Sequence, residues 1–594
     1  MILFGSLSEA SQPFMKQLSD ALESNPTFSL YFTTAVRWIF VILALFILLK
    51  SIKSLLEAKN TPETWAYLAL PDGSSQPLTH WENVLGRAKS ADIVIDILTV
   101  SRNHGTLIRN EKGNWKYNDL GSKGGSMVNG KIVYRSTPVH AGDTISLAGA
   151  DCLLVPASLQ EKMENYDARK KKTRKFPPWS PLLALTIFQI LLCIQLIIAK
   201  GSDLPITVPL SILGLTVLMW AFCTFLRIMR RTNFEMETIA FFLCTLNLAV
   251  TASAAPGEVF KQFITIILGV ALFFAMCLYL RDLRRTLLTR RILVAASIVL
   301  LLINVVFGTS ANGAVNWVHL GGFSIQPSEF VKIAFIFIGS ATLDELYEKK
   351  NLGLFMLFSL FCLGCLAVMG DFGTAAIFFV TYLVISFLRS GEFSKLILTI
   401  GVAVAGGLMI LRFRPYIADR FATWGHAWDY ANAGGFQQTR TMSAGASGGL
   451  VGYGSGNGWL HGVFASDTDL VFGMLCEEWG LIIAILAVLS IMTLGIFAVR
   501  SIMAGRSTFY TIAACSATSL FIFQTMLNVF GAVDILPLTG VTFPFVSNGG
   551  TSMIVSWGML AFLKAADTRQ GASIAVRSSH DEEEVEEEME GGGL

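Results

Sequence analysis

Gly321-Gly322-Phe323-Ser324-Ile325-Gln326-Pro327-Ser328-Glu329-Phe330-Val331-Lys332 sets an amide, an acid and a base at the mouth of an apolar run that continues to about residue 344. Each unpaired polar group costs several kcal/mol in hydrocarbon, so an ionisable pair at that depth marks a functional site by default. Three more polar, glycine-rich segments sit at other ends of apolar runs: Gly370 to Thr374, Gln437 to Asp469, and Asp534 to Ser552.

Composition agrees with a membrane setting. The chain has 594 residues, 53% hydrophobic and 15% charged, with a mean hydropathy of +0.57. Soluble domains run nearer a quarter charged, so the chain reads as a polytopic α-helical membrane protein with room for a soluble module. Its formal net charge of +2 gives no reason to expect a nucleic-acid partner. Of the nine cysteines, all but Cys152 fall in or beside apolar segments, where a thiol behaves as a small hydrophobe. Cys362 and Cys365 have ligand-like spacing without a second Cys or His pair, so one helix face is the simpler reading than zinc.

Thirteen apolar runs approach the 20 residues needed to span: about 31–50, 181–199, 207–228, 235–252, 260–280, 292–309, 327–344, 352–369, 373–389, 394–412, 474–499, 508–530 and 549–565. Residues 1–30 are polar and lack a basic region and a cleavage site, so the first run is expected to be a retained span. Positive charge sets the orientation. Arg227, Arg230 and Arg231, then Arg281 to Arg291, Lys349 and Lys350, Arg389 with Lys395, and Arg500 with Arg506 mark alternate loops, and a basic linker, 158–178, precedes the second run. All fall on one face if the N-terminus is outside and the C-terminus cytoplasmic. The four polar segments then share the outer side, which points to catalysis at a membrane face. The loop 413–473 carries Arg414, Arg420 and Arg440 on that outer side. Either long loops escape the charge bias, or this one binds an anion.

Between the first two runs, residues 62–157 hold short β-prone stretches, at 65–70, 93–97, 105–108, 115–118, 144–147 and 152–155, separated by Gly, Asn and Asp turns. They predict a β-sandwich. The last residues, 567–594, include a nearly unbroken acidic run from Asp581 to Glu590 that is expected to be disordered.

Within the sandwich, Gly86-Arg87, Ser101-Arg102-Asn103-His104, Asp119 to Gly130 and Gly142-Asp143 follow in the order that resembles a forkhead-associated (FHA) domain. The resemblance implies a phosphothreonine reader, which the charge-set orientation puts on the cytoplasmic side, in which Arg87 pairs with phosphate, Ser101 donates a hydrogen bond and Arg102 lies nearby. A forked Arg–phosphate pair is strong because it is charge-assisted. Gly124 stands where the family usually has the Asn that holds the peptide backbone, and a docking sandwich without a phosphopeptide is the alternative.

Residues 235–566 resemble the SEDS family (shape, elongation, division and sporulation) over the last ten runs. The motifs are Trp317-Val318-His319-Leu320-Gly321 with Gln326 to Lys332, Asp371-Phe372-Gly373-Thr374, Ser447-Gly448-Gly449-Leu450, Thr468-Asp469 with Glu477-Glu478-Trp479-Gly480, Leu536-Pro537-Leu538-Thr539-Gly540, and Phe543 to Gly550. The resemblance implies polymerisation of lipid II, the undecaprenyl-pyrophosphate-linked disaccharide-pentapeptide, on the outer face, beside a class B penicillin-binding protein transpeptidase. The first three spans, including the pair in 181–228, lie outside it. Asp469 matches the family's key acid; beside an apolar run, desolvation would make it a better base, although an acid at a helix start is also favoured by the macrodipole.

Arg414, Arg420 and Arg440 are candidates for the pyrophosphate. Glu329 and Lys332, three apart on one helix face, form either a structural ion pair or a substrate contact. Trp317 stacks on sugar or anchors at the interface, Asp371 lines a cavity or caps a helix, and Gln326 and Ser547 complete the substrate candidates. Pro544 with Gly549-Gly550 is expected to break a helix so that backbone lines a cavity. Asn316, Met369-Gly370, Tyr453 and Asn548 replace the family's usual Arg, Gln-Pro, basic residue and Tyr. A divalent cation (Mg or Mn) bridging pyrophosphate and carboxylate is compatible with the chemistry, and no ligand cluster requires one. A lipid-linked-precursor transporter and a non-catalytic scaffold are the alternatives.

Overall fold

The computed structural model describes residues 26–575 apart from 58–63, 81, 90, 110–112, 135, 159, 165–176, 282, 312–313, 321–322, 342–348, 391–392, 414–420, 503–507, 568 and 570–571. Arg414, Arg420, most of the basic linker and the acidic run lie outside the described residues.

Every expected apolar run is a helix. In chain order they are α1 (Pro26–Glu57), α2 (Trp179–Lys200), α3 (Thr207–Ile228), α4 (Glu235–Ala254), α5 (Val259–Tyr279), α6 (Leu283–Phe307), α7 (Pro327–Ala341), α8 (Lys349–Met369), α9 (Phe372–Ser390) and α10 (Phe393–Phe413). The polar helix α11 (Phe436–Gly448) follows, then α12 (Gly480–Ile502), α13 (Thr508–Ala532) and α14 (Gly550–Ala566). Among the described residues, eight helices are long and apolar enough to cross a bilayer, and four more are apolar but shorter. The described part of α7 begins at Pro327, directly after the polar segment that ends in Gln326.

The sandwich holds β1 (Ala66–Ala69), β2 (Ser75–Leu78), β3 (Glu82–Gly86), β4 (Ile93–Val94), β5 (Gly105–Arg109), β6 (Trp115–Asp119), β7 (Ser126–Val128), β8 (Lys131–Ile132), β9 (Ser136–Val139), β10 (Thr144–Leu147) and β11 (Ala150–Pro156). One sheet runs β2-β1-β11-β10-β7-β8 and the other β4-β3-β5-β6-β9. In β11, Ala150, Cys152 and Leu154 point inward while Asp151 and Leu153 face out, the period of two that a half-buried strand requires. With Leu68, Leu85, Leu107, Tyr117 and Ile145 these side chains make a core separate from that of the helices. The strands that hydrophobicity did not reveal, β2, β3 and β7 to β9, are short, and two carry prolines, Pro77 and Pro138. Pairing with neighbours, not apolar content, makes them strands.

The helices build two buried clusters, a smaller one around Leu301, Phe335, Phe355 and Phe378 of α6 to α9 and a main one that takes in most of the other helices. All of the spanning window of α4 is buried, so α4 is the central helix. Trp557 of α14 lies against Gly269 of α5 and within 5.0–5.9 Å of the rings of Phe241, Phe273 and Phe545. The added helices join the same core: Phe40 of α1 and Phe188 of α2 lie 4.5 Å apart and 4.8 and 5.5 Å from Trp479. At the other end, Arg500 donates to the carbonyls of Leu55 and Leu56, and Ser54 donates to Glu235. Glu235 pairs with Arg569, and Glu237 with Lys564.

One element was not legible beforehand. Between α6 and α7 a three-stranded meander forms from β12 (Thr309–Ala311), β13 (Ala314–Leu320) and β14 (Phe323–Ile325). It carries Asn316 and Trp317 and delivers the chain to Gln326.

Candidate functional site

The four polar, glycine-rich segments are bonded to one another. Asp371 stands just before α9, and its Oδ1 accepts the amide of Thr374 at 3.0 Å, an N-cap worth about 1 kcal/mol. Its Oδ2 accepts from the side-chain amides of Asn316 at 3.1 Å and Gln326 at 3.4 Å. Asp371 is therefore a cap, and it joins the meander to the start of α7. The amide of Gln326 donates to Thr551 at 3.4 Å, which brings in the start of α14. Asn316 occupies this position without a charge, so the carboxylate is hydrogen-bonded by amides.

Asp469 closes the loop after α11. It is half-buried, and its Oδ2 lies against Gly540, where an added Cβ would be 3.4 Å away. Two side chains hold the loop in place. Asn528 of α13 donates to the carbonyls of Asp469 at 3.0 Å and Val541 at 2.7 Å. Ser547 donates to the carbonyl of Thr468 at 2.6 Å and accepts from the amide of Phe543. Asn548, the other departure nearby, donates to the Asp467 carboxylate at 2.8 Å. The Asp469 loop is thereby fastened to the 536–548 segment on which Gly540 lies.

Glu329 and Lys332 form a buried ion pair at 2.6 Å, with side-chain exposures of 6% and 1%. The ammonium also donates to Gln524 at 3.4 Å, and Gln524 donates to the carbonyl and hydroxyl of Thr542 at 2.9 Å. The Thr542 hydroxyl meets that of Ser552 at 2.8 Å. Gln524 and Asn528 lie one turn apart on α13, so a single helix face links the ion pair to the Asp469 loop. Sequence reading missed both; two amides four residues apart in an apolar run were the available signal.

Behind the loop, residues 475–479 form a π-helical turn that buries Glu477 and Glu478. Glu477 accepts from the amides of Trp459 and Leu460, and Glu478 from Ser253 and the amide of Gly456. These acids act as backbone clamps for residues 452–460. Asn247, inside the central helix, likewise donates to the carbonyls of Val546 and Ser547. Among the other candidates, Trp317 is half-buried on β13, one residue from Asn316. Arg440 is exposed on α11, its guanidinium 5.2 Å from the Phe436 ring. Among the described residues no three His, Cys, Asp or Glu side chains converge to hold a metal ion.

The sandwich brings its three expected residues to one end. The amide of Arg87 donates to the carbonyl of Ser101 at 3.0 Å, and the Ser101 hydroxyl accepts the Lys123 amide at 3.1 Å. Arg102 is exposed, with its carbonyl tight against Gly86. His104 is buried; its Nδ1 accepts the Ser101 amide and its Nε2 lies 3.1 Å from the Gly125 carbonyl, a bond the other tautomer could not make.

Gly124 has a spatial reason. A Cβ there would stand 2.4 Å from the Cβ of Ala148, itself at φ +51°. Gly124→Asn is expected to destabilise the sandwich by about 1–3 kcal/mol through overpacking. Ala148→Gly, which also suits the positive φ, should restore most of the loss in the double variant. Thermal unfolding of segment 62–157, which has its own core, reads this; equal stability of Gly124→Asn and the parent would refute the clash.

Asp119 organises the same loops. Burial raises its pKa, but donation from Ser126, Ser122 and the Gly121 amide outweighs burial and holds it below the usual carboxylate range. Asn129 and the His140 amide depress Asp143 in the same sense. A depressed folded pKa gives stability that is present above the unfolded value, about 3.9, and is lost as pH falls through the folded one. Unfolding of the segment is expected to ease steadily below about pH 4, and less steeply in Asp119→Asn. An acid limb unchanged by that substitution would remove Asp119 from the account.

The chain is similar to known proteins in both its helical and its sandwich parts. The family model described as a cell cycle protein, covering FtsW, RodA and SpoVE, matches residues 236–571, and an FHA domain model matches residues 83–148. The probable peptidoglycan glycosyltransferase FtsW of Moranella endobia (strain PCIT) is 30% identical over 285 residues, covering 46% of this chain and 74% of that protein. The peptidoglycan glycosyltransferase RodA of Mycobacterium bovis (strain ATCC BAA-935 / AF2122/97) is 28% identical over 323 residues, covering 51% and 69%. A chain from a peptidoglycan synthase complex, solved in work on polymerization and crosslinking, aligns with a TM-score of 0.49 at 22% identity, covering 57% of this chain and 98% of that one. With its ten-helix core matched almost from end to end and an FHA sandwich spliced in before it, this multi-pass membrane protein belongs to the FtsW/RodA/SpoVE family.

Proposed function

We propose that the chain is a peptidoglycan glycosyltransferase that polymerises lipid II into glycan strands at the outer face of the bacterial cytoplasmic membrane. The observation that carries this reading is the placement of the Asp469 carboxylate against Gly540, on a loop fastened by Asn528 and Ser547. A base held at a fixed position can take the proton of an acceptor sugar hydroxyl as its oxygen attacks the anomeric carbon. The new glycosidic bond forms as the bond to pyrophosphate breaks, with inversion. The proton passes to Asp469, and the electron pair leaves with the polyprenyl pyrophosphate. Arg440, exposed on α11, and Arg420 are the cations proposed for that leaving group. Trp317, Gln326 and Asp371 are proposed to line the sugar or peptide side of the cavity, while Glu329 and Lys332 support its floor.

The proposed topology has the N-terminus outside and the FHA domain and C-terminus cytoplasmic. The proposed units are the sandwich 62–157, the two added spans within 181–228, and the polymerase core 235–566 with its external loop 413–473. A class B penicillin-binding protein is the proposed crosslinking partner, and a phosphothreonine protein the proposed ligand of Arg87, Ser101 and Arg102.

The test is the full-length chain in liposomes with lipid II, with and without the transpeptidase. Polymer supports the enzyme. Lipid movement without polymer would make it a transporter, and neither, even with the partner, would make it a scaffold.

A further inference from the structure

The segment between α11 and the π-helical turn is gripped from two sides. From the core, the amides of Tyr453 and Gly454 donate to the carbonyls of Glu477 and Glu478, and the amide of Gly456 donates to the Glu478 carboxylate. From the added helices, Arg37 of α1 donates through Nη1 to the Gly452 carbonyl at 2.8 Å. Gln195 of α2 accepts the Ser455 amide through Oε1 at 3.1 Å. The contact is close: a Cβ on Gly454 would come within 2.6 Å of the Gln195 amide nitrogen and 3.1 Å of Thr33. Gly456 similarly faces Ala199, Leu196 and Lys200.

This loop lies between the polar helix α11 and Asp469, 16 residues beyond Tyr453 in the chain. Its conformation is not self-sustaining. Gly452, Gly454 and Gly456 all sit at positive φ, where the backbone has the most freedom to lose. Two of its polar groups, the Gly452 carbonyl and the Ser455 amide, are met by side chains from outside the family core. A carbonyl that loses an arginine partner in a buried setting is left with the cost of its desolvation.

We infer that Arg37 and Gln195 are positioning residues for the site, and that the added helices hold the 452–456 loop in the shape the lipid-linked substrate meets. The clamp stands on geometry alone; its effect on substrate rests on the polymerase reading. The chain between the two helices is the FHA sandwich. Lys50 of α1 bonds Ser180 of α2, so the helices are antiparallel and the sandwich leaves from the ends opposite the loop. About 30 Å of helix separates Arg37 from the end of α1. Both halves of the clamp are thus the transmembrane connections of the sandwich.

Hydrogen exchange of the full-length protein in nanodiscs reads the clamp without chemistry. Arg37→Ala is expected to raise exchange in peptides covering 452–456 at least tenfold, with peptides covering 541–548 unchanged. Arg37→Lys, which keeps a charged donor, should recover part of the protection, and Gln195→Ala should release Ser455. In the polymerisation assay, Arg37→Ala is expected to raise KM for lipid II several-fold with kcat within about twofold, and Arg37→Lys to recover it. Unchanged exchange at 452–456, or a rise spread evenly over the chain, would overturn the clamp. Loosened exchange with KM unaltered would overturn its role toward substrate. If the native chain makes no polymer while the exchange difference persists, the polymerase reading fails and the clamp stands.

Discussion

Asp469→Ala is expected to lower the rate of glycan polymerisation by about 10²–10⁴-fold, the range a positioned general base contributes. The loop should keep its place, because the ties from Asn528 and Ser547 run to the backbone carbonyls of Thr468, Asp469 and Val541. Folding and lipid II binding are accordingly expected to survive. Asp469→Asn is the sharper control, since it preserves shape while removing the base. Measurable on purified protein with labelled lipid II, the loss should fall on kcat. Native-like turnover by the asparagine variant would exclude proton abstraction by this residue.

The second large effect is on stability. Lys332→Met leaves the Glu329 carboxylate in a site where its side chain is 6% exposed, deprived of the ammonium at 2.6 Å. Removing one partner of a buried pair costs about 3–5 kcal/mol, whereas replacing both is often neutral. The single variant should lose much of its folded yield and melt at lower temperature, and Glu329→Gln/Lys332→Met should recover it. The double variant also separates the two roles left open by the spacing. Recovery of fold and polymerisation together identifies a structural pair. Recovery of fold alone identifies a group that acts on substrate, directly or through Gln524 and Thr542. A single variant as stable as the parent would contradict the buried pair itself.

The sequence by itself determined the thirteen helical runs, the sandwich and the order of the polar motifs. Hydrophobic periodicity and turn chemistry act over a few residues, so they are written locally. The capping role of Asp371 was legible for the same reason: its bond to Thr374 spans three positions. What only the tertiary structure decided is which polar groups meet. The bonds Asn528–Asp469, Ser455–Gln195 and Arg37–Gly452 join residues 59, 260 and 415 positions apart. The β12–β14 meander likewise is defined by the pairing of its strands with one another. In a bilayer-spanning bundle an amide on an apolar helix must find a partner inside the protein. Which partner it finds depends on how the helices pack, and packing sums contacts over the whole chain.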